Sequence, residues 1–203
     1  MIKILLKTKL FFVILTIGSV LKADPYSLAN ISQYLTNLKF LKADFLQTSA
    51  DGTASSGAIL IKRPGRMRFE YYKPDKTLVL ISSGALAIFD PKGDEEPITY
   101  PIKNNPISLV LTGKVDLLNS GIVENYEKSI EEAVLTIRDP KRPERGSVEL
   151  VFTGAKPELK RFSIKNENGS STSILLNDIE YPKKINETLF SISLEINKRK
   201  NRN

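Results

Sequence analysis

The sequence predicts a mainly β protein, an antiparallel sheet or barrel with two helical regions laid against it. Three observations carry this. Short apolar segments alternate with turn residues at even spacing from residue 42 onward. Two stretches, one at the start of the folded chain and one near its middle, change to helical spacing. An antiparallel sheet with alternating faces also has an apolar side that must be covered.

Residues 1–23 come first and set the compartment. Lys3, Lys7 and Lys9 precede an uncharged apolar run from Leu10 to Leu21, and Ala23 offers a small residue before Asp24. This is the layout of a cleaved secretory signal peptide. The run is shorter than the roughly 20 residues a membrane-crossing helix needs. The expected divisions are a signal peptide over 1–23, one folded domain over 24–197 and a basic disordered tail over 198–203.

The first helix is expected from Asp24 as N-cap and Pro25 in the first turn, with Leu28, Ile31, Leu35 and Leu38 forming one apolar stripe. Asp51-Gly52 marks a hairpin. Ser56 to Arg63 and Arg66 to Tyr72 follow as strands about Pro64-Gly65. In the second, Met67, Phe69 and Tyr71 face one way and Arg66, Arg68 and Glu70 the other. Thr77 to Ser82 and Ala85 to Phe89 form a hairpin about Ser83-Gly84. Asn105-Pro106 starts a short helix carrying Ile107, Leu109, Val110 and Leu111. Lys114 to Asn119 reads as a second short helix stopped by Gly121.

Strands resume over Ile122 to Lys128, Glu132 to Arg138, Ser147 to Thr153, Lys160 to Glu167 and Ser173 to Tyr181, with Asn168-Gly169 as the sharpest turn. Leu189 to Asn197 reads as a last strand, with Phe190, Ile192, Leu194 and Ile196 on one face.

Charge and composition exclude several functions. The chain carries +7, but residues 24–197 sum to −1, so the excess sits at the two ends. A basic patch on the fold, which nucleic-acid binding needs, is therefore not expected. The chain has neither histidine nor cysteine. Nucleophile–base pairs built on imidazole or thiol are impossible, and common zinc sites lack their ligands. The acidic runs Asp94-Glu95-Glu96 and Glu131-Glu132 sit near turns and read as solvated edges. No phosphate-binding glycine loop occurs. No catalytic residue, metal or cofactor is expected, and a lipobox cysteine for acylation is absent.

Arg63 is the one charge placed against an apolar surface, since Ile59, Ile61 and Arg63 share a face in a regular strand. On alternation alone it reads as an exposed arginine beside a turn. A second reading has its guanidinium donating to carbonyls at the end of a covering helix.

Taken together, Ala43-Asp44-Phe45-Leu46-Gln47-Thr48, the run from Gly57 through Lys62-Arg63-Pro64-Gly65-Arg66-Met67-Arg68-Phe69-Glu70-Tyr71, Pro74-Asp75, Leu78 to Ile81, Phe89-Asp90-Pro91 and Asn105 to Leu111 resemble the outer-membrane lipoprotein carrier family. The resemblance is best over residues 30–120. It implies an unclosed antiparallel β-barrel, or half-barrel, with an N-terminal helix and a central helical lid covering an apolar concavity. It further implies a monomeric periplasmic carrier that shields lipoprotein acyl chains between an inner-membrane release complex and an outer-membrane receptor. Arg63 becomes the lid latch on this reading. Ile59, Ile61, Met67, Phe69, Leu78, Leu80 and Phe89 become the lipid-binding cavity, and Pro106, Ile107, Leu109, Val110 and Leu111 the lid helix. Met67 stands where the family is commonly aromatic, and the C-terminal segment lacks the family's proline-rich ending. A carrier for another lipid or glycolipid, or a lipid-sensing module, shares the same scaffold and stays open.

Overall fold

The computed structural model describes residues 24–93 and 96–201; the expected signal peptide and the acids Asp94 and Glu95 lie outside them. Eleven strands form one antiparallel sheet. They are β1 (Phe40–Thr48), β2 (Ala54–Lys62), β3 (Arg66–Tyr71), β4 (Leu78–Ser82), β5 (Ala85–Phe89), β6 (Ile98–Pro101), β7 (Val123–Lys128), β8 (Glu132–Arg138), β9 (Ser147–Thr153), β10 (Glu158–Lys165) and β11 (Ser171–Glu180). Their order is β6-β5-β4-β3-β2-β1-β11-β10-β9-β8-β7. Each half is a meander, and β1 joins β11 at the middle. No ladder joins β6 to β7, so the sheet is unclosed.

One apolar cluster unites Phe45, Phe69 and Ile81 from one half with Leu135, Phe152 and Phe162 from the other. The sheet therefore curls round a shared inner face. Helix α1 (Leu28–Asn37) packs into it, burying Ile31 and Leu35. The helix starts later than the Asp24-Pro25 signal implies. Its N-cap is Ser27, whose hydroxyl accepts from the Asn30 amide at 3.3 Å. Asp24 instead accepts from the Tyr26 amide at 3.0 Å and pairs with Lys128.

The middle of the chain departs from expectation. Residues 106–109 make a single 3₁₀ turn, not an α-helical lid. The second short helix, over 114–119, is absent because its backbone is taken elsewhere. The Ser32 hydroxyl donates to the Val115 carbonyl at 2.6 Å and accepts from the Leu117 amide at 3.1 Å. Thr36 Oγ1 accepts from the Val115 amide at 3.3 Å. Asp116 then accepts from the Leu118 and Asn119 amides in a turn.

The last expected strand is also a correction. Residues 187–190 form a 3₁₀ turn and helix α2 runs over Ile192–Lys200. The helix takes in Lys198, Arg199 and Lys200, which the sequence assigned to a disordered tail. Ser191 caps it by accepting from the Leu194 amide at 3.2 Å, and cations fill its last turn, where the helix dipole favours them. Its side chains Ile192 and Ile196 cover a second cluster on the outer face, made of Leu78, Leu80, Ala87 and Phe89.

Candidate functional site

The inner face between α1, residues 106–111 and the sheet is the candidate site. Strand alternation sends Ile59 and Ile61 of β2 and Met67 and Phe69 of β3 into it, and all four are buried. Ladder register then decides β4. Met67 pairs with Ile81 and Phe69 with Val79, so Ile81 and Val79 share the inner face. Leu78 and Leu80 consequently point outward, as does Phe89, which pairs with Leu78. The seven cavity residues expected from the sequence thus divide: four line the inner face, and Leu78, Leu80 and Phe89 lie under α2 on the other side.

An aromatic group closes one part of the inner face. The Phe45 ring meets Phe69 edge-on at 5.4 Å and Tyr71 at 5.1 Å. Gly57, opposite Phe45 on β2, makes room for that ring: a Cβ there would stand 2.8 Å from it and 2.3 Å from the Glu70 carbonyl oxygen. Tyr71 donates its hydroxyl to Gln47 at 2.6 Å, and burial pushes its pKa up to about 12.

Residues 106–111 complete the enclosure. Pro106, Ile107, Val110 and Leu111 are buried and Leu109 packs against the core partly exposed. Asn105 caps the 3₁₀ turn by accepting from the Ile107 amide at 3.0 Å. With Leu35, Ile61, Met67 and Phe162, this segment bounds a cavity of only about 20 Å³. That is roughly the room for one water molecule.

Arg63 borders the cavity and is only 6 % exposed. Its Nη2 donates to the Thr112 carbonyl, just past the covering turn. Its Nε and Nη1 are buried and make no hydrogen bond among the described residues. Burial pulls the guanidinium pKa down to about 10, against a small opposing pull from Tyr34. A second tie lies beside it, where the Gly65 amide donates to the Leu111 carbonyl at 2.9 Å.

Sequence reasoning missed the hydroxyls that fix the rest of the cover. Ser32 and Thr36 stand four apart on α1, a spacing that puts both on one helix face, and hydroxyls beside an apolar stripe were the available signal. Tyr34 was missed too; its hydroxyl accepts from the Leu159 amide at 3.1 Å and contacts the Tyr181 hydroxyl at 3.1 Å. Among the described residues no cluster of His, Cys, Asp and Glu could hold a metal.

A family model described as outer membrane lipoprotein carrier protein LolA matches residues 36–193. The chain belongs to this family. An outer-membrane lipoprotein carrier protein from Methylococcus capsulatus is 24% identical over 187 residues, covering 87% of this chain and 88% of that one. One from Dechloromonas aromatica is 29% identical, covering 79% and 80%. One from Coxiella burnetii is 30% identical over 108 residues; there the chain spans about half of the relative, 51%. A solved LolA superfamily protein from Nitrosomonas europaea overlays with a TM-score of 0.43 at 10% identity, covering 81% of this chain and 97% of that one. No helix among the described residues is long and apolar enough to cross a membrane.

Proposed function

We propose that this LolA-family protein works in the periplasm as a carrier whose inner face takes up the acyl chains of a lipoprotein on its way from the inner to the outer membrane. One observation supports this above the rest: a large apolar interior is closed by a short segment that only two polar ties join to the β2–β3 turn. Residues 106–112 are joined to the β2–β3 turn by the Arg63–Thr112 and Gly65–Leu111 bonds. An acyl chain cannot enter a 20 Å³ cavity, so loading requires the cover to move.

The energetics suit a transient load. Each CH₂ taken out of water gains about 0.8 kcal/mol. The closed form competes by burying Ile107, Val110 and Leu111 against the same walls. Arg63 tunes that competition, because a buried guanidinium with two unpartnered nitrogens costs free energy in the closed state. Cargo stability is then the difference between open-loaded and closed-empty forms, not the total apolar area. The donor would be an inner-membrane release complex and the acceptor an outer-membrane receptor.

The test is native mass spectrometry of protein purified from the envelope of a lipoprotein-producing host. A bound triacylated lipoprotein is the expected result. A phospholipid or glycolipid increment would replace the cargo class, and failure to bind added lipoprotein would refute the reading. Transfer assays with Arg63→Leu test the latch: unchanged release to an acceptor membrane would rule it out.

A further inference from the structure

The outer face holds a second cavity that acyl binding on the inner face does not use. Helix α2 and the turn before it lie across the outer face, and between them and the start of β3 and the end of β4 opens a groove of about 570 Å³. Ile192 and Ile196 supply apolar walls, and Arg66, Ser82, Ser83 and Ser193 supply donors.

Three observations point to an anion. Ser82 lines the groove, and its hydroxyl makes no hydrogen bond among the described residues and is left open to the groove. Arg66 is half-buried, and its side chain makes no hydrogen bond or close ion pair among the described residues, acting on Glu187 only at longer range. Its neighbour on the same face, Arg68, is committed to Glu70 and the Leu189 carbonyl. Finally, Glu187 lines the groove beside Arg66, and cations outnumber it in its surroundings. Lys62, Arg66 and Lys184 all act on Glu187 and hold its carboxyl below the usual range. Glu187 itself is taken by Lys62.

The groove also sits at the N-terminus of the nine-residue α2. First-turn amides lack intrahelical acceptors and favour negative charge there. The Ser191 hydroxyl takes the Leu194 amide and its carbonyl the Glu195 amide.

We propose that this groove binds a phosphate group carried by a lipid headgroup. Guanidinium, hydroxyl and amide donors approach from different elements, which suits an anion with several oxygens better than a planar carboxylate. The isoleucine walls suit the glycerol and first methylenes attached to it. A nucleotide is disfavoured, because the groove's only ring, Phe190, is 1 % exposed and offers no face for a base. The site is separate from the inner-face reading and stands or falls independently of it.

The test is titration calorimetry of the purified protein with inorganic phosphate, glycerol 3-phosphate and short-chain phosphatidylglycerol below its micelle concentration. One saturable site is expected, tightest for the lipid. Arg66→Gln weakens it about tenfold or more and Ser82→Ala about threefold, while Arg63→Leu leaves it unchanged. Circular dichroism checks that both variants fold. Lipid binding that survives Arg66→Gln and Ser82→Ala would place the lipid on the inner face and overturn the proposal. Equal affinity for all three ligands would overturn the headgroup assignment in favour of free phosphate. No saturable binding would overturn the site.

Discussion

The two faces of the sheet are covered by different means. On the inner face, α1 and residues 106–117 close a continuous core spanning both halves of the sheet, and their polar ties are hydroxyls, the Gly65 amide and one arginine bonded through a single nitrogen. On the outer face, α2 covers only four residues, yet basic side chains fasten it at several points. Arg199 lies 4.8 Å over the Phe89 ring, donates to the Asp90 carbonyl at 3.0 Å and pairs with Glu195. Arg68 holds the Leu189 carbonyl at 3.0 Å and Lys200 pairs with Glu96. The cover that opens on the proposed reading is thus held largely by apolar contact, and the cover over the small patch by aimed bonds from basic side chains. Apolar contact can be exchanged for a lipid at little cost, whereas several aimed hydrogen bonds cannot.

The largest effects should separate the faces by core size. Phe152→Ala empties a fully buried site in the main core and should cost about 3–5 kcal/mol in urea unfolding. Phe89→Ala removes an equally buried ring from the small cluster, where α2 can settle, and should cost about 3 kcal/mol or less. Equal losses would mean that the outer cluster is as rigid as the inner one. Next, Arg199→Ala should cost about 1–2 kcal/mol and raise amide exchange in α2 while leaving α1 protected. Uniform exchange in both helices would show the two covers to be coupled.

Arg63→Leu should do the opposite, leaving stability unchanged or raising it by up to about 2 kcal/mol, because an apolar side chain removes two unpartnered nitrogens. It should also change the alkaline response. The guanidinium titrates near 10 when folded against 12.5 when exposed, so between those values the unfolded chain binds more protons and native stability rises with pH. Any stability advantage of the Arg63→Leu variant should therefore be smaller at pH 11 than at pH 9, as read from denaturation midpoints. Tyr71 acts the other way. Its contribution is whole below its ordinary 10 and lost as pH climbs toward 12, equally in both proteins. The smallest effect belongs to the surface: Lys42→Ala breaks an exposed pair with Glu180 and should shift stability by under about 0.5 kcal/mol.

Much of the sheet was legible because its polar and apolar residues alternate. Arg66 to Tyr71 shows its faces outright. Leu78 to Ile81 does not, since it is apolar at every position, and only pairing with β3 reveals that Val79 and Ile81 are the inward pair. The C-terminal segment was misread for a related reason. Phe190, Ile192, Leu194 and Ile196 fit a period of two, while Ile192, Glu195, Ile196 and Arg199 fit a helix equally well. Ser191 as a cap and the basic last turn were the signals that favoured the helix. In the central segment, local propensity lost to tertiary bonds from Ser32 and Thr36, which no local pattern announces. The family match over residues 36–193 carries the general assignment, but it does not assign faces to individual side chains.

The join of β1 to β11 has a consequence for how the chain reaches this form. Every other strand pair links near neighbours in sequence, so each meander can assemble by short loop closures. Pairing Phe45 with Leu176 instead closes a span of more than a hundred residues, an entropic toll levied once and late. Two half-sheets that form early and zip together along a single seam would leave their apolar inner faces bare in the interval. Refolding yield, and not the first-order rate of that joining, would then fall as protein concentration rises.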